Sequence, residues 1–235
     1  MLTEKPLLMM KPSLCGLSVA LGLSLLLWAR PVVSTTRGVA AGGASGVATM
    51  PKQCQPSKTS PQALGWRWKP GTLVRVYYSK DNFSQAEVAA LSRGVNNWNA
   101  ALNEIGSHIV FVISTEREGL TNNNSSVIVR RGLPTGRERV GEIKFHSISN
   151  GRVHMIMTIS PAVTDLGAMT SLMTHELGHT LGLADCYECR RGTTAMAAFK
   201  SSNQGNDVYE PSVCDKFVVT AGYGDALNLQ ARIAH

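Results

Sequence analysis

The residues best suited to chemistry lie in one run, His175-Glu176-Leu177-Gly178-His179-Thr180-Leu181-Gly182-Leu183-Ala184-Asp185. On a helix, residues four apart stand one turn above each other, so the imidazoles of His175 and His179 can point at a common spot. Zinc is the metal that most often takes such a pair. Glu176 projects beside the histidine row, where it reaches a water at the metal without being a ligand, as a general base requires. A catalytic zinc takes three protein ligands and keeps one position open. Gly182 accepts the left-handed conformation that ends a helix, and Asp185 then returns towards the metal as the third ligand.

This run resembles the extended zinc motif of the metzincin metallopeptidases. Most members carry histidine at its last position; aspartate there is the pattern of the snapalysins, small secreted bacterial neutral proteases. The resemblance implies a methionine-containing turn beneath the metal, and Thr193-Thr194-Ala195-Met196-Ala197-Ala198-Phe199 supplies one. It also implies a secreted zinc endopeptidase, in which a zinc-activated water attacks the peptide bond and Glu176 is the base. The fold implied is α+β: a twisted mixed sheet of about five strands, a long packing helix and a zinc-binding helix. By the same resemblance Val140–Ile148 is an edge strand, whose free backbone groups pair with an extended polypeptide. The likeness covers residues 66–230 loosely and 175–196 specifically. Ala198 stands where astacin-like members have a zinc-binding tyrosine, so no tyrosine is assigned to the oxyanion, and the proline that usually follows the matrixin methionine is absent. Two other classes stay open: a zinc-binding secreted module without turnover, and a zinc hydrolase of a non-peptide substrate.

The elements that must position these residues are legible around them. Thr72–Ser79, Thr-Leu-Val-Arg-Val-Tyr-Tyr-Ser, has a β-branched and aromatic strand pattern. Ser84 and Glu87 form a capping box, and Phe83 and Val88 are spaced as a hydrophobic staple. Val88, Leu91, Val95, Trp98, Leu102 and Ile105 then recur at helical spacing, and Gly106 stops the helix. Residues 108–114 and 125–131 read as strands. Residues 141–148 and 152–160 read as a hairpin about Asn150-Gly151. That register pairs 147 with 154 and 146 with 155, setting His146 and His154 on opposite faces and arguing against a second zinc site there. The zinc helix spans Pro161 to Gly182, with Leu166, Met169, Met173, Leu177 and Leu181 on its apolar side.

Lys5 and Lys11 precede an apolar run, Leu14–Trp28, with small residues after it: the layout of a signal peptide over 1–34, with cleavage between 34 and 41. Residues 35–63 read as a flexible linker or short pro-segment, and 64–235 as the catalytic domain. Export permits disulfides among Cys54, Cys186, Cys189 and Cys214, in three alternative pairings. A clamp between Cys186 and Cys189 would steady the ligand loop. Pro51-Lys52-Gln53-Cys54 faintly resembles the matrixin pro-segment, whose cysteine thiol blocks the zinc. Of 23 basic and 16 acidic residues, four and one precede Ala41, leaving 19 against 15 and a net charge of +4. The scattered basic residues do not suggest nucleic-acid binding. A monomer without stable membrane association is expected, and nothing in the sequence indicates structural calcium.

Overall fold

The computed structural model describes residues 49–69, 71–115, 124–136, 139–149, 151–198 and 208–223. The expected signal segment and residues 35–48 lie outside them. Among the described residues the architecture is α+β, one five-stranded mixed sheet with three helices. In chain order the elements are β1 (Leu73–Tyr78), α1 (Gln85–Glu104), β2 (Val110–Thr115), β3 (Ser125–Arg131), β4 (Gly141–Ser149), β5 (Arg152–Ile159), α2 (Leu166–Thr180) and α3 (Val213–Tyr223). The strand order is β2-β1-β3-β5-β4, with β4 alone antiparallel, at one edge. The five-stranded mixed sheet, the long helix and the helix bearing the histidines are the fold class expected from the sequence, with one further helix at the end.

Helix α1 begins as its sequence requires. Ser84 accepts from the Glu87 N–H at 3.3 Å, and the Glu87 carboxylate accepts from the Ser84 N–H at 2.7 Å. Leu91, Val95, Trp98, Leu102 and Ile105 are buried between helix and sheet, together with Phe83. Gly106 turns the chain at φ +65°. Helices α1 and α2 approach closely at Gly94, where an added Cβ would stand 2.7 Å from the Met173 Cβ. Across the same contact the Trp98 indole N–H donates to the Thr174 carbonyl at 2.6 Å, and the Thr170 hydroxyl to the Ala90 carbonyl at 3.2 Å. The long helix thus fixes the height and rotation of α2.

The β4–β5 hairpin departs from its expected register. Ser147 pairs with His154, but the partner of Met155 is Phe145, because a bulge sets His146 outside the ladder. One extra residue on an edge strand is accommodated where no further strand constrains it. His146 is exposed, while His154 Nδ1 lies 2.9 Å from the Ser126 hydroxyl. The two do not share a site.

Helix α3 has no counterpart in the sequence reading. Its start is nonetheless a reciprocal cap: the Asp215 N–H donates to the Ser212 hydroxyl at 3.1 Å, and the Ser212 N–H to the Asp215 carboxylate at 2.8 Å. The Ser-x-x-Asp spacing is the same signal that marks α1. Residues 49–63, read from composition as linker, are tied down by short turns, a Pro56–Ser60 bridge and a disulfide from Cys54 to Cys214.

Candidate metal centre

His175, His179 and Asp185 converge. Their ligand atoms all lie within 4.8 Å of one another, and they are the one such group of three among the described residues. Asp185 Oδ1 stands 3.0 Å from His175 Nε2 and 3.3 Å from His179 Nε2. A tetrahedral ion with ligands at about 2.0–2.1 Å sets neighbouring donors about 3.3 Å apart, so this spacing fits a zinc-sized cation.

The imidazoles are oriented from behind. His175 Nδ1 is 2.8 Å from the Ala195 carbonyl, and His179 Nδ1 is 2.8 Å from the Leu183 carbonyl. A carbonyl only accepts, so each Nδ1 carries a proton, and Nε2, on the side of Asp185, is left as the nitrogen that can take a metal. That is the tautomer a metal ligand needs. Asp185 is held on its other oxygen, because the Tyr187 hydroxyl donates to Oδ2 at 3.0 Å. Burial opposes ionisation of Asp185, but the two imidazoles outweigh it and hold the carboxyl well below the usual range.

Asp185 reaches the histidines because the chain reverses at Gly182. Its φ is +86°, and a Cβ there would stand 2.2 Å from the Trp66 carbonyl oxygen, so glycine is required twice over. The same turn is pinned from outside. The Leu64 N–H donates to the Gly182 carbonyl at 2.6 Å, and the Ala184 N–H to the Gln62 carbonyl at 2.8 Å. Beyond Asp185, the Cys186 N–H donates to the Met196 carbonyl at 2.8 Å, and Cys186 is bonded to Cys189. Cys54 is bonded to Cys214, so it has no thiol with which to block a metal.

Met196 is fully buried beneath α2, where its sulfur lies 2.3 Å from the position a Cβ on Gly178 would take. Its turn is anchored by Asp215, which has no exposed surface and accepts from the Thr194 hydroxyl and from the Ala195 N–H at 2.9 Å. Burial pushes the Asp215 carboxyl up, and hydrogen bonds from Thr194, Ala195 and Ser212 only partly offset it.

Glu176 is buried beside the cluster. Burial pushes its carboxyl up, with the two imidazoles pulling against it. Gly141, the first residue of edge strand β4, leaves the space its carboxylate occupies: a Cβ there would stand 2.6 Å from Glu176 Oε1 and 2.5 Å from Leu172 Cδ1. Helix α2 is therefore covered on both sides, by α1 on one and by β4 and the methionine turn on the other. The amphipathic division expected of it is really one between an apolar interface and a metal-site interface. A cleft of about 1090 Å³ opens between β4 and the ligand loop, and His175, Glu176, His179 and Asp185 lie on its wall.

Asp215, Tyr187 and Gly141 were not singled out from the sequence. Only Asp215 carried a signal, its cap spacing to Ser212.

No protein-family model matches the chain, and no curated protein matches it. Among solved structures it is similar to metalloproteinase-II from Bacteroides fragilis, with 14% identity and a TM-score of 0.42 over 72% of this chain and 58% of that one. It is also similar to a chaperone–substrate complex, with 14% identity and a TM-score of 0.38 over 72% of this chain and 35% of that one. The chain thus spans less than two thirds of either structure. Matches of this strength define neither a family nor an activity. The class defined by the fold and site themselves is an α+β domain in which two histidines and one carboxylate converge, as ligands of a metal ion would, in a cleft.

Proposed function

We propose that this protein is an exported zinc-dependent endopeptidase. The observation that carries the reading is the meeting of His175, His179 and Asp185 around one point, with the buried Glu176 carboxyl beside it on the cleft wall. A structural zinc site closes its four positions and needs no base. Here three donors and a general base face an open cleft.

Zinc held by His175, His179 and Asp185 would polarise the scissile carbonyl and acidify the attacking water. The remaining steps belong to the chain. Edge strand β4 offers unpaired backbone groups to an extended peptide, which lies across the cleft as an added strand. Glu176 takes the proton of the attacking water and delivers it to the leaving amine nitrogen. Its burial favours that exchange, since a raised carboxyl pKa brings base and conjugate acid closer in energy near neutral pH. Gly141 keeps the β4 backbone against this carboxylate, so the peptide bond and the base are brought together by one contact.

Two disulfides suit an oxidising compartment, as does the signal-like segment over 1–34. No helix among the described residues is long and apolar enough to cross a membrane. The test is digestion of casein or a quenched fluorescent peptide by purified protein, with and without chelator. Cleavage abolished by chelator and restored by zinc is expected. Absence of cleavage by the zinc-loaded protein would overturn the assignment.

A further inference from the structure

The cleft carries unbalanced charge on its rim. Besides the ligand histidines, the charged side chains lining it are Arg67, Arg139, Glu142, Lys144, Glu176 and Asp185. Glu142 and Lys144 neutralise one another at 3.1 Å, and Thr135 holds Glu142 further through its N–H and hydroxyl. Glu176 and Asp185 together balance a divalent ion. Two guanidiniums are left over.

Arg139 precedes β4, and Arg67 follows the Gln62–Leu64 segment that is hydrogen-bonded to the ligand loop. Both are exposed, and neither guanidinium has an ion pair with a described residue. Arg139 is also seated. Its Cδ, Nε and Cγ lie 2.5, 2.7 and 2.9 Å from the place a Cβ on Gly136 would occupy, so that glycine provides the bed for its stem. From there it lines the same cleft as Glu176 on the wall and Tyr187 beside the ligand loop. The guanidinium therefore borders the space that a substrate crossing the metal centre would fill.

We infer that Arg139, assisted by Arg67, is a specificity residue that selects polypeptides bearing an aspartate or glutamate side chain close to the cleaved bond. This rests on the endopeptidase reading. A guanidinium fork matches a carboxylate in shape and charge, and the surrounding wall, with Val140, Ile143, Phe145 and Met155, accepts apolar neighbours. An exposed pair of this kind is worth little in energy but is enough to bias a choice among substrates.

The experiment uses zinc-loaded protein and a series of quenched peptides on one apolar scaffold, with Asp, Asn or Lys placed in turn at each position flanking the cleaved bond. At one position the Asp peptide should exceed its Asn partner in kcat/KM by about two- to fivefold, and the excess should shrink as salt rises. Arg139→Gln should bring the Asp-to-Asn ratio of kcat/KM, measured on the variant itself, to about one, whatever its absolute rate. Equal cleavage of Asp and Asn peptides at every position, or a preference that survives Arg139→Gln, would overturn the inference. A second arm measures binding of the same peptides to zinc-loaded Glu176→Gln protein by fluorescence anisotropy. If the parent cleaves nothing, the endopeptidase reading fails. An Asp-over-Asn preference in binding that depends on Arg139 would still support the rim, and its absence would sink it.

Discussion

Asp215 accepts a hydrogen bond from the backbone N–H of Ala195 at 2.9 Å, and the Ala195 carbonyl accepts one from His175 Nδ1 at 2.8 Å. One residue of the methionine turn therefore stands between a buried carboxylate on α3 and a metal-capable imidazole on α2. The same carboxylate also takes the Thr194 hydroxyl, whose oxygen accepts from the Met196 N–H at 3.1 Å. Removing the charge leaves several donors aimed at a poor acceptor. Asp215→Asn should lower stability by about 2 kcal/mol and weaken zinc binding by about tenfold, the usual cost of losing an orienting partner. Chemical denaturation and a competitive zinc titration measure the two effects. Unchanged zinc affinity would show that the Ala195 carbonyl holds its position without Asp215.

Glu176 and Asp185 should separate turnover from binding. Glu176→Gln keeps the shape of the side chain but removes its basicity, so kcat should fall by at least about a hundredfold with zinc content unchanged. Asp185→Ala deletes a donor oxygen and should lower zinc affinity itself, with activity partly regained in excess zinc. Metal analysis of each purified variant alongside its peptidase rate distinguishes them. Normal proteolysis by Glu176→Gln protein would refute its role as base.

Tyr187 tests the orientation of the carboxylate. Its hydroxyl donates to Asp185 Oδ2 at 3.0 Å while the residue as a whole is 75% exposed. Tyr187→Phe removes that bond and little else. Zinc affinity should drop by a few fold, on the low side of what orienting partners contribute because water can replace the hydroxyl at this exposed site.

Much of this arrangement is legible in the sequence because it depends on local rules. The Ser84–Glu87 box, the spacing from Leu91 to Ile105, and the i, i+4 histidines are each specified within about two turns of helix. Gly182 and Asp185 are legible for the same reason, being a helix end and its immediate return. The rest depends on contacts between distant residues. Nothing near His146 marks the bulge, which arises from how β4 meets β5. Gly141 is informative only once β4 is laid against Glu176, 35 residues further on. Helix α3 carries the Ser212–Asp215 cap, but its β-branched interior, Val213 to Thr220, has no helical stripe strong enough to draw attention to it. Arg139 and Tyr187 are single exposed residues, and exposure leaves no periodic trace.

The Glu87–Arg131 pair should make stability depend on acid. Burial raises the Glu87 carboxyl, but the Ser84 N–H and hydroxyl and the Arg131 guanidinium outweigh it and hold it below its ordinary value. A carboxyl lowered by folding contributes stability above its unfolded pKa and loses it as pH falls through the folded value. Glu87→Gln should therefore be less stable than the parent at neutral pH, by about 1 kcal/mol for a partly exposed pair and cap. The gap should close as pH falls below the ordinary glutamate range, on the order of pH 4. Urea melts of both proteins across that range test the sign. A gap that widens in acid would contradict it.

The two disulfides should behave unequally. Cys54 and Cys214 are 160 residues apart, Cys186 and Cys189 only 3. In the chain-entropy account the first restrains the unfolded chain by about 5 kcal/mol and the second by about 2 kcal/mol. The double serine variant at Cys54 and Cys214 should therefore lose on the order of 10 °C in Tm. It should also free the Cys54 end of its segment from α3, while the hydrogen bonds at Gln62 and Leu64 keep the ligand loop in place. The pair at Cys186 and Cys189 follows Asp185 directly, so its removal should cost less in Tm but more in zinc affinity. Calorimetry with and without zinc separates the two. If the long-range variant instead gained peptidase activity with no loss of Tm, Cys54 would be acting on the metal centre and not as a staple.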